Sequence, residues 1–247
     1  MANNNNDKCL SVPKAVQIRV VEEMINSSRL AGDFYLMLVL SAIMVGLGLI
    51  LDNTAVIIGG MLITPLLTPI LTLSLGIVIS DFKLITRSLK IIIKSSLIIL
   101  GISFLIGLLF SGNLSGNTII AKMSNNLPYF LVALAAGLAA TFAWAREDLS
   151  AMLPGVAIAV SLLPPLASFG VGLSQFSGSI MRSSFLAFML NMLGLLLGSI
   201  VIFSLLNFYK SKKETAKAVK EEIEETAKKD EEKKKIKQEK KEKKVSL

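Results

Sequence analysis

Several stretches of roughly 20 residues carry no charge or a single one. That is the length an α-helix needs to cross about 30 Å of hydrocarbon at a rise of about 1.5 Å per residue. Read this way, the chain has six spans, at about 34–51, 54–80, 91–110, 129–145, 151–173 and 184–206. The expected fold class is therefore an all-α integral membrane protein with about six transmembrane helices. The second span is too long for a simple crossing and contains Pro65 and Pro69. The fifth contains Pro154, Pro164 and Pro165. Proline removes a backbone donor and crowds the preceding turn, so both spans are predicted to be kinked or broken.

Three regions follow from this pattern: residues 1–33, 34–209 and 210–247. In the first, Val16, Val20 and Met24, with Val21 and Ile25, recur at three- and four-residue spacing between charges. This predicts an amphipathic helix that begins near Pro13 and lies at the membrane interface or beneath the helices. The segment is polar with mixed charge and does not read as a signal peptide. The third region is mostly Lys, Glu and Ala, with favourable pairs such as Glu224–Lys228 and Asp230–Lys234. It predicts a solvated helix that frays to disorder, its first lysines touching anionic headgroups.

The two halves resemble each other weakly. The first reads Asp52-Asn-Thr-Ala-Val, Gly59-Gly60, Pro65-Leu66, and the second reads Asp148-Leu-Ser-Ala-Met, Gly155, Pro165-Leu166. The spacing from Gly to Pro differs between them. With three spans per half, the second copy would be inverted relative to the first, a 3+3 inverted repeat of the kind that places transporter sites at broken helices. The alternative is two unrelated proline-containing spans. Gly194 and Gly198 in the sixth span and the Ala/Gly-rich fourth span point to close helix packing within the chain, or to a contact in a homo-oligomer.

Charge sets the expected orientation. With a cytoplasmic N-terminus, the inside segments hold Lys83, Arg87, Lys90, Arg146 and the whole tail, whereas the outside loops hold Lys122 and Arg182. The positive-inside rule then places both termini in the cytoplasm of a cell-membrane protein, with Lys94 snorkelling to that face. The net charge of +8 reads as topology and lipid contact rather than nucleic-acid binding.

Composition narrows the chemistry. Hydrophobic residues make up 53% of the chain even with its charged tail, against about 45–50% in soluble domains. There is no histidine, and the one cysteine, Cys9, lies in the N-terminal segment. No metal cluster, cofactor motif or nucleophile–base pair can be assembled from Asp52, Asp81, Arg146, Glu147 and Asp148, and an enzyme is not expected.

The run Asp52-Asn-Thr-Ala-Val-Ile-Ile-Gly-Gly-Met-Leu-Ile-Thr-Pro-Leu-Leu-Thr-Pro-Ile is distinctive. So is Leu153-Pro-Gly-Val-Ala-Ile-Ala-Val-Ser-Leu-Leu-Pro-Pro-Leu-Ala, followed by Leu190-Asn-Met-Leu. Together they resemble the uncharacterised hydrophobic membrane proteins grouped as domain of unknown function 389, over roughly residues 27–206. Gly60 and Thr64 depart from the alanines frequent there. The resemblance implies a compact multi-span domain and no particular activity.

Backbone groups freed at Pro65, Pro69, Pro164 and Pro165 cannot be satisfied by lipid. Thr64, Thr68 and Thr72 lie one turn apart beside the first proline pair, Ser161 and Ser168 sit around the second, and Asn191 interrupts the sixth span. These residues predict a neutral, hydroxyl-lined site for an unidentified small solute or ion in a secondary transporter or channel. For each hydroxyl alone, the simpler reading is a bond back to its own helix. Asp52 and Asp148 are expected to begin the two broken helices as caps. The competing class is a membrane scaffold without transport, whose basic tail engages lipid or a partner.

Overall fold

The computed structural model describes residues 32–110, 127–146, 149, 162–206 and 208. The expected N-terminal amphipathic helix, the charged tail, Asp148, Pro154 and Ser161 lie outside the described residues. Among the described residues seven helices occur and no strand. They are α1 (Gly32–Ile50), α2 (Thr54–Ile63), α3 (Leu67–Ile79), α4 (Phe82–Leu109), α5 (Leu127–Trp144), α6 (Leu163–Ser174) and α7 (Gly178–Leu205). Helices α1, α4, α5 and α7 are each long and apolar enough to cross a membrane. The pair α2 and α3 makes a fifth if counted as one span, bent by 54°. The apolar pattern thus holds as an all-helical architecture with four or five candidate spans.

Two boundaries differ from the sequence reading. Helix α4 begins at Phe82 rather than near 91, and α7 begins at Gly178 rather than near 184. Hydropathy marks where a chain enters hydrocarbon, not where its helix starts. Lys and Arg are good helix formers, and Asp81 caps α4 by accepting from the N–H groups of Lys83 and Leu84 at 2.9 and 3.2 Å.

The helices close into a bundle. Helix α4 packs on α1, α3 and α6, while α7 packs on α3, α5 and α6. So α3, α4, α6 and α7 form a ring in which each touches the next. Leu38, Val45, Ile70, Ile99, Ala167 and Leu195 sit in its main buried core. A second core gathers Leu71, Leu75, Leu84 and Phe203.

Glycine sets the spacing of α5 and α7. A Cβ on Gly137 would lie 2.5 Å from the Leu195 carbonyl oxygen, and one on Gly194 would lie 2.9 Å from that of Phe130. Gly194 and Gly198 therefore serve packing within the chain, where small residues let helix backbones approach.

A single spacing of 96 residues links many features of the two halves. Helices α4 and α7 both have 28 residues, and α7 starts 96 residues after α4. The turn before each has the same construction. Ser80 (φ 55°) and Phe176 (φ 53°) are left-handed. Asp81 N–H donates to the Gly76 carbonyl at 2.9 Å, and Ser177 N–H to that of Gly172 at 3.0 Å. Ser80 N–H donates to Ile77 and Phe176 N–H to Leu173. These are Schellman closures. A Cβ on Gly76 would press on Ile85, and one on Gly172 on Ile180 and Met181. The same spacing relates the aspartates and the glycines of the sequence comparison, Asp52 to Asp148 and Gly59 to Gly155. It relates Pro165 to Pro69, so the pairing of Pro165 with Pro65 is out of register by four residues.

Candidate functional site

The break in the second span lies at residues 64–66. Thr64 ends α2 in an extended conformation, and its N–H reaches back to the Met61 carbonyl. Pro65 occupies the break itself, and Pro69 falls in the first turn of α3. Pro164 and Pro165 likewise fall in the first turn of α6. Proline there removes N–H groups that have no partner within the helix anyway. The prolines thus start half-length helices rather than kink continuous ones. Neither α3 nor α6 receives a side-chain cap.

The aspartate expectation needs a correction. Asp52 does not cap α2. It is left-handed, at φ 49°, and closes α1 in a Schellman turn, Asn53 N–H donating to the Gly48 carbonyl at 2.9 Å. An Asp side chain tolerates this region better than most. The cap is Asn53, whose Oδ1 accepts from the N–H groups of Ala55 and Val56 at 3.0 and 3.3 Å. Replacing Asn53 with Ala is expected to cost about 1 kcal/mol of stability, measurable by thermal unfolding in detergent.

The hydroxyls divide into two groups. Thr72 Oγ1 donates to the Thr68 carbonyl at 2.8 Å, and Ser199 Oγ donates to that of Leu195 at 2.8 Å. Ser74 and Thr141 also return to their own helices. For these the simpler reading holds. Ser88, Ser95, Ser103, Ser168 and Ser184 are buried, and each hydroxyl oxygen lacks a hydrogen-bond partner. Thr64 Oγ1, at the break, is also enclosed without a partner. Asn191 is buried and engaged.

Helix registers place these groups along the bundle. Gly76 on α3 abuts Ile85 on the antiparallel α4. At equal rise, ten residues back from Gly76 and ten on from Ile85 bring Leu66 level with Ser95. Gly172 abuts Met181 in the same way, which brings Leu162 level with Asn191. Gly170 abuts Leu100, Ser103 and Phe104, and Gly107 abuts Val171 and Ser174. Helices α4 and α6 therefore run parallel, and Leu163 is also level with Ser95. The starts of α3 and α6, Ser95 and Asn191 share one level to within about a turn. Ser95 and Asn191 are each the fourteenth of the 28 residues of their helices.

Sequence reading picked out Asn191, Thr64, Thr68 and Ser168 and missed Ser95. A serine in an apolar helix is unremarkable alone. The available signal was position, because Ser95 stands 96 residues before Asn191 and Thr72 stands 96 before Ser168. Lys94 lies beside Ser95, its ammonium 4.8 Å from the centre of the Tyr35 ring, a cation–π contact.

The architecture, apolar helices of spanning length joined through glycine contacts and interrupted by a broken pair, is that of a helical membrane protein. The chain belongs to the family described as domain of unknown function (DUF389), whose model matches residues 61–197. It is 33% identical over 177 residues to an uncharacterized protein of Methanocaldococcus jannaschii, an alignment that covers 72% of this chain and 55% of the relative. The chain thus spans about half the length of that curated relative. No solved structure matches the chain.

Proposed function

We propose that the protein is a secondary transporter or channel for a small solute or ion, built as a 3+3 inverted repeat with six membrane crossings and both termini in the cytoplasm. The observation that carries this reading is the 96-residue spacing, combined with the order of the ring. Helices α3 and α6 are counterparts under that spacing, as are α4 and α7, and in the ring α3–α4–α6–α7 counterparts stand diagonally opposite. A two-fold axis through the ring produces that order.

Charge supports inversion. Helix α4 carries Lys83, Arg87, Lys90 and Lys94, whereas 96 residues on stand Ser179, Ser183, Leu186 and Leu190. Two copies of one helix start need opposite charge character if one faces the cytoplasm and the other the outside. In inverted-repeat transporters the substrate binds where half-length helices begin, near the middle of the membrane. Here two such helices begin on one level, beside Thr64, Thr68 and Asn191.

The test is flux through proteoliposomes, screened over inorganic ions and small neutral solutes. The parent protein is expected to move at least one of them. Thr68→Val and Asn191→Leu, which roughly keep shape while removing polar groups, are expected to lower that flux at least about tenfold. Parental flux in both variants would refute this site. Absence of any flux would leave the scaffold reading, with the tail as its lipid or partner contact.

A further inference from the structure

We infer that the two helix starts and the paired polar side chains Ser95 and Asn191 form a site for a small inorganic anion; this inference rests on the transport reading above and names its substrate class.

An α-helix start carries about half a positive charge. With proline at 69, 164 and 165, the N–H groups left to present it are those of Leu67 and Thr68 in α3 and of Leu163 in α6. Helices α3 and α6 have 13 and 12 residues, begin on one level, and neither start is neutralised by a side-chain cap. No acidic residue lies in the first turn of either helix. Two such ends on one level of the bundle make a positive region that an anion, and not a cation, offsets.

An independent observation also points to a ligand. Ser95 is fully buried, and its hydroxyl has no partner. It lies seven residues beyond Ser88 on the α4 face that meets α3 through Leu84 and Ile85. That face and the register above put it against the start of α3. An orphaned hydroxyl in a low-dielectric interior is costly unless something accepts its proton. Serine O–H and the Asn191 amide both donate, and donors are what a desolvated anion requires.

The surrounding charge agrees. Among the described residues the acids are Asp33, Asp52 and Asp81. Asp52 and Asp81 lie in the turns at the far ends of the helices. Asp33 starts α1 and is exposed, and Lys94 is exposed too, its ammonium over the Tyr35 ring of α1. A cation site would need carboxylates or a cage of carbonyls here, and among the described residues no carboxylate lies in the first turn of either helix.

The experiment uses the full chain in liposomes loaded with potassium chloride. Potassium is released through valinomycin, and chloride efflux is read with an electrode. The parent is expected to release chloride. Ser95→Ala is expected to slow efflux at least about tenfold, because it removes a hydrogen bond to a charged group. Ser96→Ala, one position round the same helix, is expected to match the parent. Monodisperse elution of both variants separates loss of the site from loss of the fold. Equal efflux from Ser95→Ala and the parent would overturn the site. Flux of sodium, potassium or glycerol without chloride would overturn the anion assignment and leave the transport reading standing. If none of these probes nor nitrate moves, both readings fail.

Discussion

Gly198→Leu is expected to destabilise the protein more than any exposed substitution in it, by about 3 kcal/mol or more. A Cβ at 198 abuts the Leu134 carbonyl oxygen and would stand 2.8 Å from the Leu138 nitrogen and 3.1 Å from the Gly137 carbonyl carbon. All three are backbone atoms, which cannot rotate aside as a flexible side chain can. Helices α5 and α7 must then separate along their contact. Overpacking a well-filled interior typically costs about 1–3 kcal/mol, and this position has no soft neighbour to absorb the strain. In a bilayer the loss is not offset by a hydrophobic drive, since helices associate there chiefly through close packing. The check is thermal unfolding in detergent against Gly101→Ala. Nothing lies within 4 Å of a Cβ at Gly101, so alanine there should leave stability unchanged or raise it by about 0.5–1 kcal/mol through helix propensity. Equal melting of Gly198→Leu and the parent would mean that α5 and α7 do not pack as described.

The second large effect is expected at Phe203. Its side chain is fully buried, packed edge-on against Phe208 with ring centres 5.1 Å apart. It sits in the core that joins Leu75 and Ile79 of α3 to Ala140 of α5. Phe203→Ala removes a ring from a site walled by several helices that cannot all close inward, and a loss of about 3–5 kcal/mol is expected. Phe176→Ala, at a residue 89% exposed, should change stability by no more than about 0.5 kcal/mol. Comparable melting temperatures for the two variants would contradict the packing of this core.

The same position exposes a difference between the halves. The residue 96 before Phe203 is Gly107, where a Cβ would run into the Ser174 hydroxyl and lie 3.1 Å from the Val171 Cα. So α4 approaches α6 through a glycine, while α7 reaches the α3 side through a phenylalanine. The two contacts are counterparts in place and different in filling.

The class of the protein was legible in the chain itself. Lipid leaves no partner for backbone N–H and C=O groups, so long uncharged runs have to be helices. That constraint is local, and it yielded the apolar segments and the break near Pro65–Pro69. The basic character of α4, four residues against the single Arg182 of its counterpart, was also written in the residues. Helix ends were less legible, because lysine and arginine continue α4 past the edge of its apolar run. The caps were misread for a related reason. Asp52 and Asn53 are both good capping residues by type, and only the left-handed turn at the end of α1 decided that Asn53 opens α2.

Which proline matches which was decided in three dimensions. Matched by Pro-Leu dipeptides, the halves fall out of step. Matched by the turns at Ser80 and Phe176, α4 and α7 and the turns before them keep one spacing. Side-chain fate was likewise a tertiary matter. Thr72 and Ser95 are both hydroxyls in apolar helices, yet the first bonds to its own backbone and the second is enclosed without a partner. Sequence determined that these polar groups would be buried in apolar helices. Only the packing of α3 and α6 against α4 and α7, through glycines at 76, 170 and 172, determined that Ser95 and Asn191 lie level with two helix starts, because level is a relation between helices that no single segment encodes.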